Sequence, residues 1–177
     1  MVTTIPTLET ERLLLRANRA DDLPAFTAMW QQPTFYEFLG GRALPEEEVW
    51  TKLLRHLGAW LALGYGYWAV EEKATGLFIG AMGFADWQRQ LVPSLKGYAE
   101  VGWVLAPAVH GKGYASEAAQ AVLAWSDAHL TQKRTVCIIS PDNLPSLRLA
   151  AKFGYQEVAH TLYKEQPIVV LERFAPR

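Results

Sequence analysis

The segment with the densest chemistry runs from residue 100 to residue 115. It reads Glu100-Val101-Gly102-Trp103-Val104-Leu105, then Ala106-Pro107-Ala108-Val109, then His110-Gly111-Lys112-Gly113-Tyr114-Ala115. A strand pattern runs into a glycine-rich loop, and the loop opens a helix. Successive backbone N–H groups there, with the positive end of the helix dipole behind them, make an anion site. Glycine lets the backbone approach a phosphate with no Cβ in the way. The inward helix face after Gly113 is small at first (Ala115, Ala118, Ala119), which seats the helix close to its strand. Two common phosphate loops fail on this sequence. A P-loop needs Ser or Thr after its lysine, and Lys112 is followed by Gly113. A dinucleotide fingerprint needs a third Gly or Ala where Ser116 stands, inside an early βαβ unit that is missing here.

Other residues offer chemistry with a plainer alternative beside it. Glu100 is either a solvated strand carboxylate or a general base, and Asp86 is a weaker rival for the second role. His110 either contacts a phosphate or is a polar loop residue that caps the helix. Ser146, in Asn143-Leu144-Pro145-Ser146, either satisfies a backbone N–H at a helix start or offers its hydroxyl to a reaction. Cys137, the single cysteine, has no His-rich setting and reads as a buried strand residue, not a nucleophile. His56, His129 and His160 are scattered without metal-ligand spacing, so no metal is expected.

The elements that must position these groups follow from periodicity. Leu8 to Arg16 reads as a first strand. Asp21, Asp22 and Pro24 start a helix with Phe26, Met29 and Trp30 on one face, and Pro33 ends it. Pro45 and Glu46 to Glu48 start a second helix, which Gly64 stops. Strands are expected over Tyr67 to Glu72, Leu77 to Trp87 and Tyr98 to Leu105, the first two joined by a turn at Ala74-Thr75-Gly76. A helix over Gly113 to His129, a strand over Thr135 to Ser140, a helix over Leu144 to Phe153 and two last strands follow. That order gives a mixed α/β sheet, not a doubly wound one.

The bulk composition narrows the partners. The chain has 177 residues, half of them hydrophobic and a fifth charged, with a formal net charge of -1. That suits one compact domain and gives no basic excess for nucleic acid or an anionic membrane surface. No apolar run reaches the roughly 20 residues of a membrane span. Met1 to Thr10 lacks the basic-then-apolar pattern of a signal peptide. With one cysteine and no disulfide, a cytoplasmic home is expected. Trp30, Tyr36, Trp60, Tyr65, Trp68 and Trp87 are expected in the core, with those near the Pro33 to Gly41 stretch also able to wall a ligand site.

Three stretches, in register, resemble the GNAT superfamily in its ribosomal-protein N-terminal (Rim-type) acetyltransferase branch. They are Thr10-Glu11-Arg12-Leu13-Leu14-Leu15-Arg16, Gly111-Lys112-Gly113-Tyr114-Ala115-Ser116-Glu117-Ala118, and Asn143-Leu144-Pro145-Ser146-Leu147-Arg148 ending in Lys152-Phe153-Gly154-Tyr155. The family's pyrophosphate loop is Arg/Gln-x-x-Gly-x-Gly/Ala, and His110-x-x-Gly113-x-Ala115 matches it apart from the first residue. The resemblance spans nearly the whole chain and implies a single GNAT domain over residues 1–177. It implies a central seven-stranded mixed sheet, mostly antiparallel, splayed between strands four and five and flanked by about four helices.

The resemblance also implies acetyl-CoA as co-substrate, with its pantetheine in the gap where the strand ending at Leu105 parts from the strand at Val136. Trp103, Val104 and Leu105, the loop residues His110, Gly111, Lys112, Gly113, Tyr114 and Ala115, and Asn143 and Ser146 are then cofactor-binding. The Trp103 N–H would face the thioester carbonyl. Many members place a Tyr on the later helix to protonate the departing thiolate. The matching position here is Ala150, and the Rim-type branch has a Ser four residues earlier, where Ser146 stands. Glu100 becomes the base that takes a proton from the attacking amine. The implied reaction is direct attack of a primary amine on acetyl-CoA in a ternary complex. The amine belongs to a protein N-terminus or a small molecule, and homodimerisation is left open. The rival reading is a non-catalytic acyl-CoA-binding sensor, kept alive by Ala150. A purely structural interaction protein would not need the glycine loop.

Overall fold

The computed structural model describes residues 4–176. Residues 1–3 and 177, which belong to the expected 1–177 domain and include the start of the N-terminal stretch read for a signal peptide, lie outside the described residues. The elements are β1 (Leu8–Glu9), β2 (Leu13–Arg16), α1 (Leu23–Trp30), α2 (Pro33–Tyr36), α3 (Glu46–Leu63), β3 (Tyr67–Glu72), β4 (Leu77–Ala85), β5 (Ala99–Leu105), α4 (Tyr114–His129), β6 (Arg134–Ile139), α5 (Leu144–Lys152), β7 (Gln156–Tyr163) and β8 (Gln166–Phe174). The strands form one mixed sheet in the order β1-β2-β3-β4-β5-β6-β8-β7. Pairs β1–β2, β2–β3, β3–β4, β6–β8 and β7–β8 are antiparallel, and β5–β6 is parallel.

Among the described residues the sheet has eight strands, not the expected seven. The difference lies in Leu8 to Arg16, which folds back on itself to pair Leu8 with Leu15 and Glu9 with Leu14. Thr10 makes the turn: its N–H donates to the Leu13 carbonyl at 3.0 Å, and its hydroxyl oxygen accepts from the Leu13 N–H at 2.9 Å. A side chain that bonds the nearby backbone competes with a straight ladder. The first helix ends at Trp30, ahead of Pro33 as expected, and Pro33 also opens the single-turn α2. Its fixed φ and missing N–H suit the first turn of a helix.

The fold gathers into two compact units. One contains the chain up to Gly83 together with Trp103–Val122, and the other contains Phe84–Gly102 together with the chain from Leu123 onward. In the first unit, Phe26, Met29, Trp30, Phe35, Leu44 and Val49 form a buried cluster, and Val104 and Ala106 pack against it. Helix α3 contributes through Val49, Leu53, His56 and Trp60, spaced to stay on one face. Burying side chains such as Leu53 stabilises the fold by about 1.5–3 kcal/mol each. The helix ends at Gly64, whose φ of 77° lets its N–H reach the Trp60 carbonyl. In the second unit, Leu91, Leu95, Val136, Ile168 and Val170 form a buried cluster, with Tyr98, Ile138 and Tyr163 against it.

The parallel contact between β5 and β6 is brief. It pairs Ala99 with Thr135 and Glu100 with Val136. Strand β6 continues against β8 as far as Ile139 and Val169, while β5 runs on to Leu105 outside that ladder. This is the expected splay, and Glu100 stands at its fork.

Candidate active site

The glycine loop lies in the first unit. A 3₁₀ turn at Pro107–Val109 ends at His110, and α4 starts at Tyr114. Between them Gly111 and Gly113 hold φ of 75° and 82°. These are left-handed conformations, which a residue with a Cβ reaches at a cost of about 1–2 kcal/mol. A Cβ on Gly111 would meet open space, so its backbone conformation is what calls for glycine there. The His110 side chain turns back into the loop, and its Nε2 donates to the Leu105 carbonyl at 2.9 Å. That nitrogen is therefore committed to shaping the loop. Gly80 makes the approach of β4 to β5 close: a Cβ there would lie 2.2 Å from the Val104 carbonyl oxygen. Val104 packs toward the α1–α3 core, so strand alternation turns Trp103 and Leu105 to the opposite face.

Glu100 lies in the second unit and is 5% exposed. Its carboxylate is clasped by Arg89 from the segment between β4 and β5. Arg89 Nη2 donates to Oε1 at 2.8 Å, and Nε donates to Oε2 at 2.9 Å and to Oε1 at 3.2 Å. The guanidinium lies 4.7 Å from the Tyr163 ring and 5.5 Å from the Trp87 ring. Burial pushes the Glu100 carboxyl above the usual carboxylate range, Arg89 pulls it back, and Asp86 adds to the upward push. Arg89 also lines an open cleft of about 520 Å³ with Leu91, Ser94, Lys96 and Thr161, so the pair lies one side chain from solvent. The solvated-strand reading of Glu100 does not hold.

Asp86, the rival base, accepts from the Gln88 side-chain amide and from the Gly97 N–H at 2.9 Å, bonds that shape its own loop. Cys137 is 1% exposed, and burial pushes its thiol up, which keeps it protonated. Among the described residues, no group of three or more His, Cys, Asp or Glu is placed to hold a metal ion.

Helix α5, also in the second unit, starts at an N-cap filled by Asn143. Its Oδ1 accepts the Ser146 N–H at 3.2 Å. The capping role considered for Ser146 thus belongs to Asn143, and Ser146 sits within the first turn. Ser146 and Ala150 are four residues apart and share a face, and Ala150 is 2% exposed, so that face turns inward. Of the aromatic residues expected in the core, Trp30, Trp60 and Trp68 are buried, whereas Trp87 lies against Arg89.

Sequence reasoning missed Arg89. It stands in an irregular stretch with no periodicity, and its partner is 11 residues away, so no local spacing pairs them.

Residues 12–156 match the family model described as "Acetyltransferase (GNAT) domain". The chain is 30% identical over 171 residues to the Bacillus subtilis (strain 168) protein called "Uncharacterized protein YkkB", with 94% of each covered. Its fold is similar to a "Putative GnaT-family acetyltransferase from Bordetella pertussis", with a TM-score of 0.85 and 31% identity over 96% of this chain and 99% of the other. It is also similar in fold to a ribosomal L7/L12 alpha-N-protein acetyltransferase, RimL, solved in complex with coenzyme A. There the TM-score is 0.77 at 16% identity, over 96% of this chain and 98% of the other. That likeness is one of fold alone. The family match enters at Arg12, runs through the glycine loop and ends at Gln156, and the chain belongs to the GNAT acetyltransferases, a family that uses acetyl-CoA.

Proposed function

We propose that the protein transfers the acetyl group of acetyl-CoA to a primary amine by direct attack in a ternary complex. The observation that carries this reading is the loop at residues 110–115, where left-handed glycines open α4 in a chain of this family. Its amides and the helix end suit a diphosphate. Val104 and Leu105 and their backbone serve pantetheine, and the Trp103 N–H polarises the thioester carbonyl. A hydrogen bond aimed at the developing oxyanion stabilises the transition state more than the ground state.

Glu100 takes the amine proton through water. An ionised carboxylate has about four lone-pair sites. Arg89 occupies three of the contacts and leaves room for a water. Burial that raises the carboxyl's pKa makes it a better base. Arg89 keeps it ionised and oriented. Asn143, with its oxygen on the Ser146 N–H, has its side-chain N–H groups to offer the cofactor. The Ser146 hydroxyl donates to the thiolate as it departs. The acceptor is a protein N-terminus or a small amine.

Isothermal titration with acetyl-CoA, followed by thiol release across an amine panel, tests this. Binding with amine-dependent release is expected. Binding without release on any amine would favour the sensor, and no binding would end the reading.

A further inference from the structure

The turn between β1 and β2 reaches the glycine loop within the first unit. The Arg12 N–H donates to Glu117 Oε1 at 2.8 Å, and Arg12 Nε donates to Glu117 Oε2 at 2.7 Å. Arg12 Nη1 donates to the Lys112 carbonyl at 2.9 Å, and the guanidinium lies 4.4 Å from the Tyr114 ring centre. The Thr10 hydroxyl adds a bond to Glu117 Oε1 at 2.6 Å. Arg12 is itself fixed by the sheet, because its carbonyl accepts the Lys73 N–H at 2.9 Å. The Tyr114 hydroxyl donates to Glu72 at the end of β3.

One side chain therefore holds the end of the loop and the first turn of α4. An isolated exposed ion pair contributes little. This one differs: the Glu117 side chain is only 17% exposed, and its pKa lies below the ordinary range. Burial opposes that shift and is outweighed by bonds from Thr10, the Arg12 amide and the Arg12 guanidinium.

The bond to Lys112 has a geometric consequence. In a trans peptide the carbonyl and the following N–H point in opposite directions. Drawing the Lys112 carbonyl toward Arg12 aims the Gly113 N–H away from it. A peptide between Gly111 and Gly113, both at positive φ, has few other restraints on its direction. The His110 Nε2 turns to the Leu105 carbonyl instead.

We infer that Arg12 is a positioning residue for cofactor binding: it fixes the 112–113 peptide so that the Gly113 N–H is presented to the cofactor diphosphate before the cofactor arrives. The inference rests on the proposed use of acetyl-CoA. Lys in its place cannot serve Glu117 and the Lys112 carbonyl with one planar fork.

The test uses the full chain as wild type, Arg12→Ala and Arg12→Lys. Titration measures the Kd for CoA, and amide hydrogen exchange of the cofactor-free protein compares peptide 110–117 with β6. Both variants should weaken CoA binding at least tenfold. Exchange should speed up in 110–117 and stay unchanged in Arg134–Ile139. Unchanged Kd and unchanged loop exchange in a folded Arg12→Ala protein would overturn the inference. So would exchange that rises equally in both peptides, since that reports general destabilisation. If wild type binds no CoA, the proposed function fails by itself, and faster exchange confined to the loop would still show that Arg12 orders it.

Discussion

Replacing Arg89 by Gln should shift the pH at which the proposed acetyl transfer switches on. Arg89 makes three contacts of 2.8–3.2 Å to Glu100, and the two side chains are 18% and 7% exposed. Two unit charges about 4 Å apart interact by about 4 kcal/mol at an effective dielectric of about 20. Partial exposure and competing water reduce this toward the roughly 1.5–3 kcal/mol of a charged hydrogen bond. The sign follows from the causes: Arg89 lowers the Glu100 pKa, so its loss leaves burial and Asp86 pushing upward unopposed. The acidic limb of kcat/KM for the acceptor should therefore move to higher pH. The acceptor's own ionisation is the same for both proteins and cancels in the comparison. The assay is thiol release at saturating acetyl-CoA across the pH range. An acidic limb that does not move in a folded Arg89→Gln protein would remove Glu100 from the role of base.

Gly113→Ala forces a Cβ into a conformation with φ of 82° and should weaken CoA binding by about tenfold, the equivalent of about 1.4 kcal/mol, as read by titration. Unchanged affinity would count against the loop as the diphosphate site. Ser146→Ala should lower kcat by about ten- to a hundredfold while KM for acetyl-CoA moves much less, because Asn143 keeps the cap. Wild-type kcat where chemistry is rate-limiting would leave Ser146 as a residue of the helix start. His56 is 6% exposed, lies stacked 4.5 Å from the Tyr67 ring, and is pushed by burial down to about 3. Because its folded pKa is depressed, it must charge on unfolding below its ordinary 6.5, so stability is full above that pH and falls as pH drops toward 3. The loss amounts to at most about 5 kcal/mol. Denaturant unfolding from pH 7 to pH 3 should show this slope, and His56→Phe should flatten it. Equal slopes for the two proteins would contradict it.

The fold was most legible where a strong local period met a clear stop. Strand β3 falls on Tyr67–Glu72 as read, and α3 runs from the Glu46 cluster to Gly64. It was least legible where one side chain redirects the backbone. Thr10 turns a run of strand-forming residues into a hairpin, and Pro33, which follows the end of α1 as read, also opens the unforeseen turn α2. For the site, a local grammar exposed the loop, because glycines before a helix carry their reason with them. The side chains that brace the site lie outside that grammar. Arg12 and Glu117 are 105 residues apart, and Arg89 meets Glu100 from an aperiodic segment. Only the folded chain brings these charges together, and neither partner has a spacing that names the other.

The central claim is transfer of acetyl from acetyl-CoA to an amine. It is tested most directly by incubating the full chain with acetyl-CoA and libraries of small amines and peptides. Acetylated products are identified by mass spectrometry, and free thiol is counted in the same samples. One acetylated amine per thiol released, on a defined acceptor, is the predicted result. Thiol release with no acetylated amine, or CoA binding with neither product, would contradict the account.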